Sequence, residues 1–365
     1  MFLSRKYNGL NSMVSSSLWD LPTPSSMSYF WNFGSLLGVC FIIQVTTGLF
    51  LSFHYISFAD LSFSSLIHIS RDVWLGWMVR FLHMNGASLF FIFIYFHIAR
   101  GLFFQSSVSK MVWVSGVTIL LLLMAVSFLG YVLPWGQMSY WAVAVITNLF
   151  SVVPLVGVDI VNWIWGGFSV GVPTLTRFYS LHFLLPFFMA FFILVHLYFL
   201  HINGSSMNLG LNGNVDKFVF HPYFSLKDFF SWILLFGLFM FIVFFSPYLF
   251  GDPVNFVPAD PMSTPTHIQP EWYFLFSYAI LRSFPGKVAG VVALFSSVLI
   301  YYVFPFFTYY YSSKFSFIRY FLFWVLISSF FFLMYIGSMP AEYPYIWGGQ
   351  VFTFIYFLTC VIINI

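Results

Sequence analysis

Apolar residues run along this chain in long continuous stretches, and polar residues gather in the connections between them. The stretches fall at roughly 31–53, 76–104, 110–133, 178–202, 226–247, 288–309, 319–338 and 346–364. A helix needs about 20 apolar residues to cross the hydrocarbon core of a bilayer, so each reads as a span. The runs are continuous rather than alternating, which excludes a transmembrane β-barrel. Backbone groups in lipid must be satisfied within their own segment. The pattern therefore predicts an all-α fold, an eight-span transmembrane helical bundle. The 203–225 connection parts the first four spans from the last four. The 134–177 and 248–287 connections keep apolar stripes such as WAVAVITNLF and VDIVNWIW, which predict helices lying on the membrane surface.

Composition supports a lipid solvent. Only 6% of the 365 residues are charged, where a soluble domain carries roughly 25%. Such a chain is expected to partner lipid, not nucleic acid. The two cysteines, Cys40 and Cys360, lie in apolar runs and no C-x-x-C-H occurs, which excludes a covalently attached c-type haem. The opening MFLSRKYNGLNSM lacks the apolar core of a cleaved signal peptide.

Eight spans put both termini on one side. That side receives Arg5, Lys6, Arg100, Lys110, Lys217, Lys227, Lys314 and Arg319. The other receives Arg71, Arg80, Arg177, Arg282 and Lys287. Eight cations against five orient the termini toward the inner compartment.

Two spans carry ionisable residues in their interior: His83 and His97 in one, His182 and His196 in the other. Both pairs are 14 residues apart. Fourteen residues make about 3.9 turns, so the two histidines share a face roughly 21 Å apart along the axis. One span lies between the two histidine helices, so they run in the same direction. His83 then levels with His182 near the outer surface, and His97 with His196 near the inner one. Ionisable residues are costly in lipid and mark function. Facing imidazoles inside a helix bundle are ligands for a six-coordinate haem iron. Zinc would want more ligands or an open position at each level.

Arginine and glycine follow the same levels. Arg80 lies three residues outward of His83 and Arg100 three residues inward of His97. A haem standing edge-on would present its propionates to those guanidinium groups. Gly34 and Gly48 in the first span, and Gly116 and Gly130 in the third, repeat the 14-residue period. By direction, Gly34 and Gly116 sit at the inner level, and Gly48 and Gly130 at the outer. A glycine leaves room for a flat macrocycle to approach the backbone.

These histidine pairs, the four glycines, GYVLPWGQMSYW at 130–141 and PEWY at 270–273 resemble the mitochondrial cytochrome b family over nearly the whole chain. Chloroplast relatives usually have one more residue between the second histidine pair and a divided chain, so the resemblance is to the mitochondrial or bacterial-like type, and the short ends favour the mitochondrial.

The resemblance implies a di-haem four-helix bundle over residues 1–205. It also implies a C-terminal transmembrane domain over 206–365 that completes two quinone sites. Two non-covalent b haems would be held by His83 with His182, and by His97 with His196. Ubiquinol would be oxidised at an outer site. One electron would pass to the Rieske iron–sulfur protein and on to cytochrome c1. The other would pass through the two haems to ubiquinone at an inner site. The setting implied is a homodimeric bc1 complex, with further subunits, in the mitochondrial inner membrane, both termini on the matrix side.

Residue roles follow by position. Glu271 in PEWY would hydrogen-bond the outer quinol and take a proton, with Tyr131 linking that pocket to the outer haem. Phe128, Ile146, Pro270 and Tyr278 would wall the pocket. His201, Ser205 and Asp228 would form the inner pocket. The remaining His54, His68, His221 and His267 read as interfacial or structural.

The chain departs from the family after SYW, where Ala142, Val143 and Ala144 replace the usual Gly-Ala-Thr. The Ala142 methyl is expected to narrow the outer pocket and weaken methoxyacrylate-type inhibitors while quinol still reacts. Ala142→Gly should then raise inhibitor potency; unchanged potency would rule the idea out. Gln269 is a milder departure. Two other readings are a di-haem membrane anchor of another dehydrogenase and, from a different class, a non-redox transporter. PEWY and LPWGQ argue against the anchor, which needs no outer pocket. A transporter predicts broken helices lining a midplane cavity, not histidines at two levels.

Overall fold

The structure, a computed structural model, describes residues 9–209, 213–307 and 312–363. Arg5 and Lys6 of the charge argument lie outside the described residues. So do the last residues of the expected spans 288–309 and 346–364. The N-terminal part begins with α1 (Gly9–Val14), which continues as a π turn. It then forms the short strand β1 (Pro22–Pro24), paired antiparallel with β2 (Lys217–Val219) of the 203–225 connection.

The helices that follow are α2 (Phe33–Ser52), α3 (Ala59–Arg71), α4 (Gly76–Phe103) and α5 (Lys110–Val132). After the outer-loop helices α6 (Gln137–Asn148) and α7 (Gly157–Trp165) comes α8 (Val172–Asn203), and beyond β2 runs α9 (Tyr223–Phe245). The chain ends with α10 (Leu275–Arg282), α11 (Lys287–Leu299), α12 (Phe317–Gly337) and α13 (Tyr345–Ile362). Both apolar stripes of the first long connection form helices, α6 and α7. The α3 helix was not foreseen.

Seven helices among the described residues are long and apolar enough to cross a membrane. The eighth expected span differs. There α11 stops after 13 residues, and two 3-10 turns, Ile300–Tyr302 and Phe304–Phe306, carry the chain on. The cause is Pro305, which has no N–H to give the carbonyl of Tyr301. That carbonyl instead accepts the indole N–H of Trp113 at 2.7 Å. The break in the helix thus becomes a tie to α5.

The first four spans pack as two pairs, α2 against α4 and α5 against α8. The main core runs from Leu36 and Cys40 on α2 through Phe91 on α4 to Phe239, Leu333 and Tyr356 in the later helices. Large apolar side chains stay exposed along α8 and α9, including Phe187, Leu194, Leu234 and Phe245. In lipid such a surface carries no penalty.

Candidate functional site

The histidine pairs meet as the spacing requires. The rings of His83 and His182 have centroids 6.1 Å apart, and those of His97 and His196 6.4 Å apart. A metal ion about 2.0 Å from one nitrogen of each ring puts the two centroids roughly 6 Å apart. Both pairs match that spacing.

Neighbouring groups fix how the rings turn. The Thr47 hydroxyl donates to the Ile43 carbonyl at 2.6 Å, so it accepts from Nδ1–H of His83 at 2.9 Å. Ser115 does the same for His196: it donates to Met111 O at 2.7 Å and meets Nδ1 at 2.9 Å. Nδ1 of His182 donates to Val126 O at 2.8 Å. In these three rings the proton sits on Nδ1 and the lone pair on Nε2 is free for a metal. His97 differs: its Nδ1 lies 3.3 Å from the Arg100 guanidinium, which has only donors. An anionic group at this level would draw the guanidinium away and free the ring.

All four glycines sit against the histidines. A Cβ added to Gly34 would lie 3.5 Å from Cε1 of His97. At Gly48 it would lie 3.0 Å from His83, at Gly116 3.1 Å from His196, and at Gly130 2.4 Å from His182. The levels are those expected. In addition, each glycine makes room for the imidazole on the helix packed beside it. Thr47 and Ser115, each one residue before such a glycine, escaped the sequence reading. The Thr-Gly and Ser-Gly dipeptides were the signal available.

The arginines lie where anionic groups would be received. Arg80 donates to Ser70 Oγ at 2.9 Å. Arg100 stacks over Trp31 at 5.3 Å, and the buried nitrogens Arg100 Nε and Trp31 Nε1 have no hydrogen-bond partner among the described residues. Among the described residues neither arginine pairs with a carboxylate. Orphaned buried donors beside a histidine pair fit the propionate edge of a haem.

At the level of the first histidine pair one cavity of about 280 Å³ is lined by His83, His182, Arg80, Tyr131, Asp252 and Glu271. Tyr131 and Glu271 share this cavity. Burial, and after it the Asp252 charge, push the Glu271 pKa up to about 7 against the pull of the Tyr131 hydroxyl. Phe128, Ala142, Ile146, Pro270 and Tyr278 do not line this cavity. Phe128 meets Phe178 edge-on, and Ala142 is buried on α6. Ile146 and Pro270 are half-buried. Tyr278 donates to Ile268 O at 3.2 Å, with the Arg282 guanidinium 4.8 Å from its ring.

Three residues the sequence reading missed fasten the two outer loops together. Gln137 donates to Ser263 O at 2.9 Å, and its backbone N–H to Val257 O at 2.9 Å. Asn255 Oδ1 accepts from both N and Oγ of Ser139 at 3.0 Å. Beside them Trp135 holds the left-handed φ of 55°, an uncommon conformation for a non-glycine residue that clusters at functional loops.

Near the N-terminal end of α2, Asp228 accepts from Ser35 Oγ at 2.7 Å. Asn32 donates to Lys227 O and to Ser231 Oγ at 2.9 and 2.8 Å. His201 is exposed near the end of α8, and Ser205 follows just beyond that helix. The structure thus couples Asp228 to Ser35, a partner not anticipated, and joins it to neither His201 nor Ser205 by a hydrogen bond among the described residues.

Two family models match the chain. "Cytochrome b/b6/petB" covers residues 18–204, and "Cytochrome b(C-terminal)/b6/petD" covers 258–357. A solved structure described as "Hyperthermophilic respiratory Complex III" superposes with a TM-score of 0.93 at 29% identity, over 100% of this chain and 98% of that one. With its paired histidines, its seven long apolar helices and a family match over more than half its length, the chain belongs to the cytochrome b/b6 family of haem-binding, multi-pass membrane proteins.

Proposed function

We propose that the chain is the cytochrome b subunit of a mitochondrial-type quinol–cytochrome c oxidoreductase, oxidising quinol at an outer site and reducing quinone at an inner one. The observation that carries this reading is the single cavity in which Glu271 and Tyr131 meet the outer histidine pair. Residues 1–205 hold two b haems, with His83 and His182 as ligands of the outer and His97 and His196 of the inner. Arg80 and Arg100 receive the propionates. Bound there, the haems supply one-electron transfer between the two surfaces.

The chain's own groups handle the protons and the substrate. Glu271, ionised for part of the time near neutral pH, accepts a proton from the outer quinol without holding it tightly. Tyr131 orients the carboxylate. The resemblance assigns Phe128, Ala142, Ile146, Pro270 and Tyr278 to the wall of the quinol pocket. At the inner site Asp228, His201 and Ser205 donate to and accept from the quinone oxygens, with Ser35 orienting Asp228. Residues 206–365 complete both quinone sites. Protons released outside and taken up inside contribute to the gradient, at about 2.3 kcal/mol per charge per 100 mV.

The matched Complex III supports a multi-subunit assembly. The proposed partners are the Rieske iron–sulfur protein and cytochrome c1 in a homodimeric complex. One unbroken chain carrying both family segments and the 14-residue spacing of its second histidine pair favour the mitochondrial type over the divided one. The cation bias supports an inner-membrane setting with both termini on the matrix side. The test is anaerobic addition of quinol to the isolated complex while the b absorbance is followed. Reduction of the band is expected. A band that responds to dithionite but never to quinol would overturn the reading.

A further inference from the structure

The helix that carries two of the four histidines also grips the PEWY motif, on a different face. Ser88, Phe91 and Tyr95 fall on a stripe of α4 about 60° wide, roughly 130° around the helix from His83 and His97. Each touches the motif. Ser88 Oγ accepts the indole N–H of Trp272 at 3.1 Å. Phe91 stacks on Tyr273 with centroids 3.9 Å apart and planes 2° from parallel. The Tyr95 hydroxyl donates to the Tyr273 carbonyl at 2.5 Å. Ser88, Phe91 and Tyr273 are all buried. Glu271 is the residue before this grip, and its own carbonyl accepts Phe274 N–H at 2.9 Å, closing the turn. The backbone on the C-terminal side of Glu271 is therefore bolted to α4 at two successive residues.

We propose that Tyr95 and Ser88 are positioning residues for Glu271, making α4 a common beam that sets the carboxylate at a fixed distance from the outer histidine pair. This rests on the role given to Glu271 above. Tyr95 does not line the cavity that Glu271 shares with the outer histidine pair, whereas Ser88 does. Their effect passes through the Trp272–Tyr273 turn, so it should exist only while residue 271 is a carboxylate. The packing of the Tyr95 ring against Trp272, Phe276 and Phe330 is independent of its hydroxyl. Tyr95→Phe thus removes the strut and leaves the core filled.

The experiment is a double-mutant cycle on quinol oxidation by the whole complex, with turnover expressed per haem. Tyr95→Phe, Glu271→Gln and the double variant are compared, and Ser88→Ala provides a second cycle should Tyr95→Phe assemble poorly. Tyr95→Phe is expected to lower turnover about fivefold, the weight of one hydrogen bond, with haem content unchanged. In the Glu271→Gln background the same change should do nothing further. An equal loss in both backgrounds, or no loss in the first, overturns the proposal. Full activity of Glu271→Gln alone would instead overturn the role of Glu271 itself.

Discussion

Gly130→Ala is expected to strip the outer haem from the protein while the inner haem stays. The new methyl would sit 2.4 Å from Cε1 of His182 and 2.9 Å from its Nδ1, far inside van der Waals contact. The ring is held at its back by Val126 O at 2.8 Å, so it has to give up either that hydrogen bond or its alignment with His83. Overpacking of a tight interior costs about 1–3 kcal/mol, and here the strain falls directly on a ligand. The four glycines form a graded series. Gly48→Ala and Gly116→Ala, at 3.0 and 3.1 Å from their histidines, should loosen one haem each. Gly34→Ala, at 3.5 Å, makes an ordinary contact and should leave both haems in place. Haem extracted and counted per chain, with the visible spectrum, checks the order. Equal tolerance at Gly130 and Gly34 would contradict the fit of the imidazoles against the helix backbone.

Glu271→Gln should slow quinol oxidation by about 10²–10⁴-fold, the usual weight of a positioned general base, without loss of haem. The carboxylate accepts a proton only when ionised, and burial together with Asp252 holds its pKa up to about 7. Turnover of the unaltered protein should therefore decline as pH falls below about 7, as the group protonates. Glutamine keeps the size of the side chain and a hydrogen-bond acceptor for Tyr131 but cannot titrate. Its residual rate should lack that acid limb. A variant that keeps the limb would assign it to another group.

The membrane fold was legible because lipid imposes a one-dimensional rule, length of apolar run, that needs no knowledge of contacts. One span differs in form, where Pro305 interrupts the run after α11, since hydropathy is blind to a missing backbone donor. The histidine pairs were legible for a related reason: 14 residues return to one helix face, and chain direction sets the levels. Glycine shared the period, yet its neighbour was not. Whether a macrocycle or an imidazole fills the space depends on how α2 meets α4 and α5 meets α8. Asp228 with Ser35, Gln137 with Ser263 and Asn255 with Ser139 join residues 193, 126 and 116 positions apart. No periodicity within one helix encodes such pairs. Tyr131 and Glu271 were found only through the resemblance, and the structure adds the cavity that they share with His83 and His182.

The most direct test is a redox titration of the reduced-minus-oxidised visible spectrum of the isolated complex, with non-covalent haem extracted and counted. Two b haems per chain titrating at separate potentials is the predicted result. A single haem, or none, would contradict the account, because both histidine pairs have the ring spacing on which it rests.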